Sequence, residues 1–379
     1  MIAFVHHGLD YIVPFLFILT VLVFVHEFGH FYVARRNGVR VDVFSIGFGP
    51  ELFGWYDRAG TRWKFSAIPL GGYVKMFGDN DASSGLPSAG LANLTPAERE
   101  ASFHYKRLGQ RAAIVAAGPA ANFVFAIVVL ALLFMTFGQP FTPAQVGQVQ
   151  PGSAAERAGI KPGDVILSIN GSAVRSFEDV QQDVRLNPGV PMTIVLKRDG
   201  HDVSVQAIPK KSELKDRFGN HYEVGLLGIA HKGIDYVRRD PATAVLQAGE
   251  QTWGLSTSTL KAMWQIAIGV RGTDELGGPL RIAQMSGDVA QGGAVAVIWF
   301  MAVLSINLGL INLFPVPVLD GGHLLFYAAE ALRGKPLGQR AQEYGFRIGL
   351  ALVLTLMVFA TWNDLVHLRI VEFVRGLVT

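Results

Sequence analysis

Cysteine is absent from this 379-residue chain, so neither disulfide bridges nor thiolate metal sites are available to it. Any metal ion must therefore be held by histidine and carboxylate side chains. Charged residues are also scarce, at 17% of the sequence, while half of the residues are hydrophobic and the mean hydropathy is +0.33. Such values are typical of a membrane protein that carries a soluble module, and they argue against an ordinary globular enzyme.

The net charge of +3 is small and spread along the chain, so it gives no reason to expect a nucleic-acid partner. In a membrane protein the basic residues instead report which side of the bilayer a segment faces. Arg35 and Arg36 follow the first apolar run, which predicts a cytoplasmic location for that end of the helix. Arg369 and Arg375, in the tail, are a minor contrary signal.

The first apolar run, over 11–34, is long enough to cross a hydrocarbon layer about 30 Å thick. It contains His26, Glu27 and His30. Two histidines four residues apart lie on one face of a helix, where both imidazoles can reach one tetrahedral Zn²⁺ ion, and Glu27 is then placed to take a proton from the attacking water. Ionisable groups inside a spanning helix are expensive and mark function by default. The alternative is a histidine pair that faces a polar bundle interior without a metal.

The end of the third apolar run holds the second informative stretch. Pro315 and Pro317 break the helix, and broken backbone at membrane depth is tolerated only where protein encloses it or where it lines a wet cavity. Asp320 follows, and as a third ligand it would complete a His₂Asp site with one position left for water. His323 is a rival ligand. Asp320 is favoured because an anionic ligand offsets the charge of the metal better than a third neutral imidazole.

Glycine, proline and alternating apolar residues over 39–77 predict short strands and hairpins. Two interpretations of this β-element stay open. It lies at the membrane surface as an amphipathic element, or its exposed edges pair with an extended substrate strand. A polar loop is expected over 79–100. Asn122, in the second apolar run, either bonds a neighbouring helix or helps to build the site.

The composition becomes that of a soluble domain after Pro140. The run 151–171, with P-G-S-A-A, A-G-I-K-P-G-D and I-N-G, looks like a PDZ domain, and an amphipathic helix and two alternating strands follow it. Domains of this kind bind an extended peptide along a strand edge, so a peptide or protein ligand is expected. Residues 145–150 would hold the carboxylate-binding loop but lack a G-L-G-F sequence, so a domain that only gates access is the alternative.

These segments predict a polytopic α-helical membrane protein with about four transmembrane helices, one inserted PDZ-like α+β domain and a membrane-associated β-element. In chain order they are a first transmembrane helix (1–36), the β-element and loop (37–110), a second helix (111–137), the PDZ-like domain (140–212), a linker with a strand and an interfacial amphipathic helix (213–292), a third transmembrane segment (293–323), and a cytoplasmic turn, fourth transmembrane helix and tail (324–379).

Both polar motifs resemble those of the site-2 protease family of intramembrane zinc metalloproteases, in particular its bacterial RseP-like branch. His26-Glu27-Phe28-Gly29-His30 is similar to that family's H-E-x-x-H, and the stretch 312–321 is similar to its N-x-x-P-x-P-x-L-D-G. The resemblance extends over nearly the whole chain. This chain has one PDZ-like module, whereas RseP has two. A size-filtering role that depends on a pair of PDZ domains is therefore not expected here.

The resemblance implies that His26, His30 and Asp320 bind zinc and that Glu27 is the general base and acid. It also implies that Asn312 orients the substrate or the oxyanion. The substrate-binding residues expected on this basis are Gly71, Gly72, Tyr73, Asn312, Pro315 and Pro317.

The function implied is hydrolysis of peptide bonds in the transmembrane segments of single-span membrane proteins, as in regulated intramembrane proteolysis. Anti-sigma factors already trimmed outside, or remnant signal peptides, are the expected substrates, and the lipid bilayer is a further partner. The implied location is the bacterial inner membrane, with the PDZ-like domain in the periplasm and the active site near the cytoplasmic face. Two other classes stay open: a transporter, which would not need Glu27, and an inactive scaffold, which would be expected to lack a ligand.

Overall fold

A computed structural model describes residues 2–78, 94–215, 221–233, 235–269, 272 and 277–367. Most of the loop expected over 79–100 therefore lies outside the described residues, as do Arg369 and Arg375. The helices are α1 (Ile2–Arg36), α2 (Pro96–Ala101), α3 (Leu108–Thr136), α4 (Ala154–Arg157), α5 (Phe177–Leu186), α6 (Pro241–Ala267), α7 (Pro279–Gln291), α8 (Ala294–Leu313), α9 (Asp320–Arg333) and α10 (Gln339–His367).

Within the described residues, four helices are long and apolar enough to cross a membrane. These are Leu9–Arg36, Leu108–Thr136, Ala294–Leu313 and Arg340–Val366, in agreement with the number predicted from the apolar runs. The first helix begins earlier than predicted, at Ile2, so Pro14 lies inside α1 and not in its first turns. Proline is tolerated inside such helices because neighbouring groups satisfy the backbone that it leaves unpaired.

Small residues bring α1 and α3 into close contact. A Cβ atom built on Gly29 of α1 would lie 2.3 Å from the carbonyl oxygen of Ala117 and 2.7 Å from Cβ of Ala121, both on α3. Only glycine allows the two backbones to approach this closely, which is a recurrent feature of helix packing in membranes. The side chains on the facing surfaces of α1 and α3 are consequently held in register.

A β-sheet follows α1 in the chain and packs back against the side of this helix. Its strands are β1 (Val41–Tyr56) and β2 (Arg62–Met76), which pair antiparallel. Both strands bend, so that Phe44 pairs with Val74 on one side and with Trp63 on the other. The Phe44 ring meets the Phe31 ring of α1 edge-on at 5.5 Å and stacks on Trp63 at 4.3 Å. The β-element predicted over 39–77 is therefore a packed sheet, and its segment 72–76 forms an edge.

The chain between α8 and α9 turns sharply where the two prolines were expected to break the helix. Gly321 lies so close to the end of α8 that an added Cβ would be 2.3 Å from the carbonyl oxygens of Leu313 and Phe314. Val318 has a φ of +108°, a conformation that is strained for a β-branched residue. The cytoplasmic turn predicted after 323 is mostly helix, since α9 extends from Asp320 to Arg333.

One further segment differs from the sequence prediction, and for another the structure defines the contacts. The Gly/Pro-rich segment after Gly277 was grouped with the linker, but it begins a helix, since Pro279 is the first residue of α7. Asp364 of α10 stabilises this helix start by accepting hydrogen bonds from the Gly278 and Arg281 N–H groups at 2.9 and 3.0 Å. The helix predicted to be interfacial is α6. Thr259 of α6 donates to Asn307 Oδ1 at 3.2 Å, so this part of α6 packs beside the middle of α8.

The chain divides into two compact units. The second extends from Leu132 to Ala244 and includes the end of α6. Its strands are β3 (Gln139–Phe141), β4 (Val146–Val149), β5 (Val165–Ile169), β6 (Ser172–Ala173), β7 (Met192–Arg198), β8 (His201–Ala207), β9 (Lys210–Lys215), β10 (His221–Leu226), β11 (Ile229–His231) and β12 (Asp235–Val237). The largest described sheet has the order β6-β5-β7-β8, and α4 and α5 cover its core.

The second unit is longer than the predicted 140–212 because strands after Pro209 complete it. β11 pairs with β4, and Ile229 faces Val149 in that pairing. Residues 146–149, expected in a carboxylate-binding loop, are therefore strand. The loop beside α5 is instead formed by 225–229, where β10 ends, the chain turns and β11 begins. It borders a cavity of about 290 Å³ together with Phe177, Val180 and Val184.

Candidate metal centre

Three buried or partly buried ligand atoms meet between α1 and the start of α9. Nε2 of His26 and Nε2 of His30 lie 3.3 Å apart, as expected for histidines one turn apart on a helix. Oδ2 of Asp320 lies 3.1 Å from the first nitrogen and 3.4 Å from the second. The two motifs, distant in sequence, thus converge on one point.

The outer nitrogens of both imidazoles are bound by α3. His30 Nδ1 lies 2.8 Å from the Ile114 carbonyl oxygen, and since a carbonyl only accepts, Nδ1 carries the proton and Nε2 is left bare. His26 Nδ1 lies 3.1 Å from the Asn122 amide. The amide oxygen of Asn122 is otherwise without a hydrogen-bond partner. If the Asn122 amide is oriented with its oxygen toward His26, that oxygen accepts a hydrogen bond from Nδ1–H of His26. Nε2 of His26 then carries no proton and is free to bind a metal, like Nε2 of His30.

Gly118 of α3 lies directly under both rings. A Cβ atom at this position would be 2.2 Å from Nε2 of His30 and 2.9 Å from Cε1 of His26. The histidines can therefore converge only because this residue has no side chain.

This arrangement fits a zinc ion. Two bare imidazole nitrogens and a carboxylate oxygen repel one another unless a cation lies between them, and Oδ2 of Asp320 is buried without a hydrogen-bond donor. Ligand atoms about 2.0–2.1 Å from a tetrahedral zinc lie about 3.3 Å from one another, which matches the three observed separations. His26, His30 and Asp320 would hold the ion, with a fourth position open.

A cavity of about 290 Å³ opens next to the three ligands. Besides the ligands, it is lined by Glu27, Gly72, Tyr73, Val74, Met76, Phe103, Val115, Asn312, Val318, His323 and Tyr327. Four residues named from the sequence therefore share this cavity: Glu27, Asn312, Gly72 and Tyr73. His323 also lines the cavity but does not belong to the cluster of ligand atoms, which separates it from Asp320.

Three residues expected to bind substrate do not line this cavity. Gly71 packs against the Phe48 ring, which an added Cβ would approach to 2.3 Å. Pro315 is exposed. Pro317 lies under Gly349 of α10, where an added Cβ would be 1.7 Å from the Pro317 carbonyl oxygen. Their position gives Gly71 and Pro317 a role in packing.

A free strand edge borders the cavity. Segment 72–76 pairs with β1 on one side, and its other side has no paired strand among the described residues. Gly72 brings this edge against α1, because an added Cβ would lie 2.8 Å from Val23 and 3.2 Å from Cγ of Glu27. Unpaired backbone N–H and C=O groups thus lie beside the residue predicted to be the general base.

Some functional positions were not predicted from the sequence. Ile114 contributes only its carbonyl oxygen and Gly118 only its lack of a side chain. The residue type at these two positions therefore does not indicate a function. Asn122, for which two interpretations were left open, contacts a predicted ligand. Phe103 is delivered to the cavity by a short 3₁₀ turn that follows α2.

Known proteins match this sequence over most of its length. The sequence model of peptidase family M50 matches residues 14–356. The chain belongs to peptidase family M50. Relatives named as zinc metalloproteases in Agrobacterium fabrum (strain C58) and Rhizobium meliloti (strain 1021) are each 49% identical to it, over 359 and 363 residues. Both alignments cover 94% of this chain, with 95% and 97% of the relatives.

Metalloprotease MmpA of Caulobacter vibrioides is 38% identical over 392 residues, covering 97% of this chain and 98% of that protein. Among solved structures, the PDZ domain of the SdrC-like protein from Listeria monocytogenes matches 24% of this chain and 88% of its own length, at 20% identity and a TM-score of 0.19. Membership of the M50 (site-2 protease) family makes this chain a zinc metalloprotease and confirms the resemblance drawn from the two motifs.

Proposed function

We propose that this M50 protease hydrolyses peptide bonds within the transmembrane segments of single-span membrane proteins. The observation that carries the proposal is the position of the ligand cluster, which has both histidines on a helix apolar enough to span a membrane and lies beside a free strand edge. Substrates of this kind include anti-sigma factors already trimmed outside and remnant signal peptides, as the RseP-like motifs imply. The process is regulated intramembrane proteolysis.

Each part of the reaction has a residue in the cavity. When bound, zinc polarises the scissile carbonyl and lowers the pKa of water toward about 7. Glu27 takes the proton of the attacking water and returns it to the leaving amine. The Glu27 carboxylate has no hydrogen bond or ion pair within the described residues, so it is free for this transfer. The amide of Asn312 binds the substrate backbone.

The free strand edge binds the substrate after its helix has unwound. A helical substrate engages its carbonyl groups in its own hydrogen bonds, so it has to unwind before hydrolysis. Segment 72–76 offers unpaired backbone groups to the unwound chain, which adds to the sheet as an extended strand. Met76, Phe103 and Val115 supply apolar surface for its side chains.

The test is cleavage of a purified single-span protein by the full chain in liposomes. Glu27→Gln should abolish cleavage while the zinc content stays at one ion per chain, and a chelator should abolish cleavage by the wild type. Glu343→Gln, at an exposed position on α10, is the matched control. Cleavage of soluble unfolded chains with no cleavage of any spanning segment would overturn the proposal.

We infer that the Arg36 end of α1 lies in the cytoplasm of a bacterium, with the protein in the inner membrane and the second unit in the periplasm. The pair Arg35 and Arg36 supports this orientation. The chain contains no cysteine, so single cysteines introduced at exposed positions 202 and 343 can be labelled without background. Only position 202 should react with an impermeant maleimide added to whole spheroplasts, and the reverse pattern would refute the orientation.

We further propose that the cavity between α5 and loop 225–229 binds an extended peptide with a free carboxyl terminus. Gly228 has a φ of +80°, which lets consecutive backbone N–H groups of the loop face one point, and Val180, Val184 and Leu227 form an apolar wall. A fluorescent peptide ending in valine should bind the full chain, and its amidated form should bind at least tenfold more weakly. Equal binding would leave the second unit as a gate.

A further inference from the structure

One polar side chain in the cavity has no part in metal binding or proton transfer. His323 lies on the first turn of α9, three residues after Asp320, and lines the cavity with Glu27 and Asn312. Its nitrogens do not belong to the ligand cluster. Its ring meets Phe326 edge-on at 6.5 Å, and neither nitrogen has a hydrogen-bond partner within the described residues.

An unpaired polar ring at a partly buried position is unfavourable unless a partner arrives from outside. Desolvating a donor without a hydrogen bond costs about 1–3 kcal/mol, so the imidazole gains from a partner that enters the cavity. The open side of His323 is the cavity that receives the scissile peptide. The missing partner is therefore a group of the substrate.

The chemistry of the reaction identifies that group. Attack of water on a peptide carbonyl builds negative charge on the carbonyl oxygen, and donors preorganised toward that oxygen stabilise the transition state. A neutral imidazole always carries one N–H, whereas Glu27 offers a proton acceptor. Among the lining side chains, those of His323, Asn312, Tyr73 and Tyr327 can donate a hydrogen bond without binding the metal. His323 is the one that follows a predicted ligand by a single helical turn, three residues after Asp320.

We propose that His323 is a catalytic residue that donates a hydrogen bond to the oxygen of the scissile carbonyl as it becomes an oxyanion. The bond strengthens as charge develops, so it lowers the barrier without tightening ground-state binding in proportion. His323 forms no covalent bond and transfers no proton. The inference rests on the zinc-protease function of the site but does not require that the substrate spans a membrane.

Two substitutions separate donation from packing. His323→Phe keeps an aromatic ring against Phe326 but removes the donor, and His323→Gln keeps an N–H donor but removes the ring. Loss of a single oxyanion donor reduces kcat by about 10²–10³-fold, so His323→Phe should show a fall of this size with KM, zinc content and melting temperature unchanged. His323→Gln should recover at least tenfold of the lost kcat. Phe326→Leu is the packing control and should retain kcat.

The assay uses the full chain with zinc in detergent and a soluble, unstructured apolar peptide, so that it works even if spanning substrates are not cleaved. A second readout is the affinity for a phosphinic peptide, whose tetrahedral oxygens mimic the oxyanion. This affinity should fall in His323→Phe by the same factor as kcat/KM. The proposal would be overturned by an unchanged kcat or a loss of zinc in His323→Phe, by a kcat of His323→Gln as low as that of His323→Phe, or by a kcat of Phe326→Leu as low as that of His323→Phe.

Discussion

A single missing methyl group makes room for the metal centre. Gly118 lies under both imidazoles, and an added Cβ would come within 2.2 Å of the Nε2 atom of His30 that faces the ion. The clash falls on the ligand atoms themselves and not on the flexible end of a surface side chain. The ring of His30 is also fixed from behind by its bond to Ile114, so it cannot move away without losing that bond.

Gly118→Ala should therefore lower zinc affinity by about 10–100-fold, the range seen when groups that orient metal ligands are removed. Competition with a fluorescent zinc chelator measures this constant directly. Gly109→Ala is the matched control, since it lies on the same helix and an added Cβ there meets nothing within 4 Å. If Gly118→Ala binds zinc as tightly as the wild type, the imidazole rings do not lie against this residue and the prediction is wrong.

At the residue scale, the sequence predicts a functional residue where its own chemistry carries the function. His26, His30 and Asp320 are rare residue types for an apolar setting, and their spacing and the broken helix single them out. Gly118 cannot be found this way, because its contribution depends on two rings that approach from another helix. His323 was weighed as a ligand and ranked below Asp320 because of its charge, and the distances among the ligand atoms place only Asp320 in the cluster.

At the scale of elements, α10 supports the loop that carries the third ligand. Gly345 and Gly349 lie one turn apart on the face of α10 that meets Pro317. At Gly349 an added Cβ would lie 1.7 Å from a backbone oxygen, whereas at Gly345 it would meet the Phe326 ring at 3.0 Å and the Pro317 ring at 3.6 Å. A side-chain ring can shift to make room for an added methyl group, whereas the backbone of the loop cannot. A substitution at Gly349 should therefore disturb the loop more than one at Gly345.

Gly349→Ala should displace the loop between α8 and α9 and, with it, Asp320. Zinc affinity should then fall by about tenfold or more, because it depends on the position of the Asp320 carboxylate. Gly345→Ala should stay within about threefold of the wild type. Both constants come from zinc titration of the full chain in detergent, with helix content checked by circular dichroism. Equal effects of the two substitutions would mean that α10 stabilises the fold without positioning the ligand.

In the second unit, an ion pair joins β7 to the turn before β5. Nε and Nη2 of Arg198 donate to the two Asp164 carboxylate oxygens at 2.8 and 2.6 Å, and the Lys161 N–H donates at 2.8 Å. Burial alone would raise the pKa of Asp164. The Arg198 guanidinium and the Lys161 N–H outweigh it and hold the pKa of this carboxyl below its ordinary value.

The contribution of Asp164 to stability should therefore be complete above pH about 4, the ordinary pKa of an aspartate, and lost as the pH falls through its depressed native pKa. Methyl NMR of Ile166 and Ile194, both buried in this core, should show native resonances weakening below pH about 4. Asp164→Asn should be less stable at pH 7 and lack this acid step. Asp202→Asn, at an exposed position, should behave as the wild type.

Element boundaries show why part of the fold escapes sequence reasoning. Apolar periodicity finds the spans, but it places Pro14 in the first turns of a helix that in fact begins at Ile2. The Gly/Pro-rich segment after Gly277 was grouped with the linker, although α7 begins there at Pro279. The loop beside α5 was sought at 145–150. It lies at 225–229 because β4 pairs with β11, about 80 residues later, and such long-range pairing leaves no local signal.

At the scale of the whole molecule, the metal centre belongs to one compact unit. Its ligands come from α1 and α9, and α3 bonds the outer nitrogens of both histidines. Bound zinc would therefore tie three helices that are far apart in sequence. The core of the second unit, which includes Ile166 and Ile194, contributes no ligand within the described residues.

Removal of zinc should consequently destabilise the first unit alone. Binding to the native state stabilises it by about 2.7 kcal/mol when free zinc is 100 times its dissociation constant, so a chelator should raise amide exchange by up to about 100-fold in peptides that cover α1, α3 and the start of α9. Hydrogen-exchange mass spectrometry of the full chain, with and without chelator, measures this region by region. Peptides from β7 and β8 should not change, and Asp320→Ala should abolish the response to chelator. If exchange rises equally in both units, or if Asp320→Ala still responds, zinc binds elsewhere or the units unfold together, and the assignment of the centre to three helices of one unit fails.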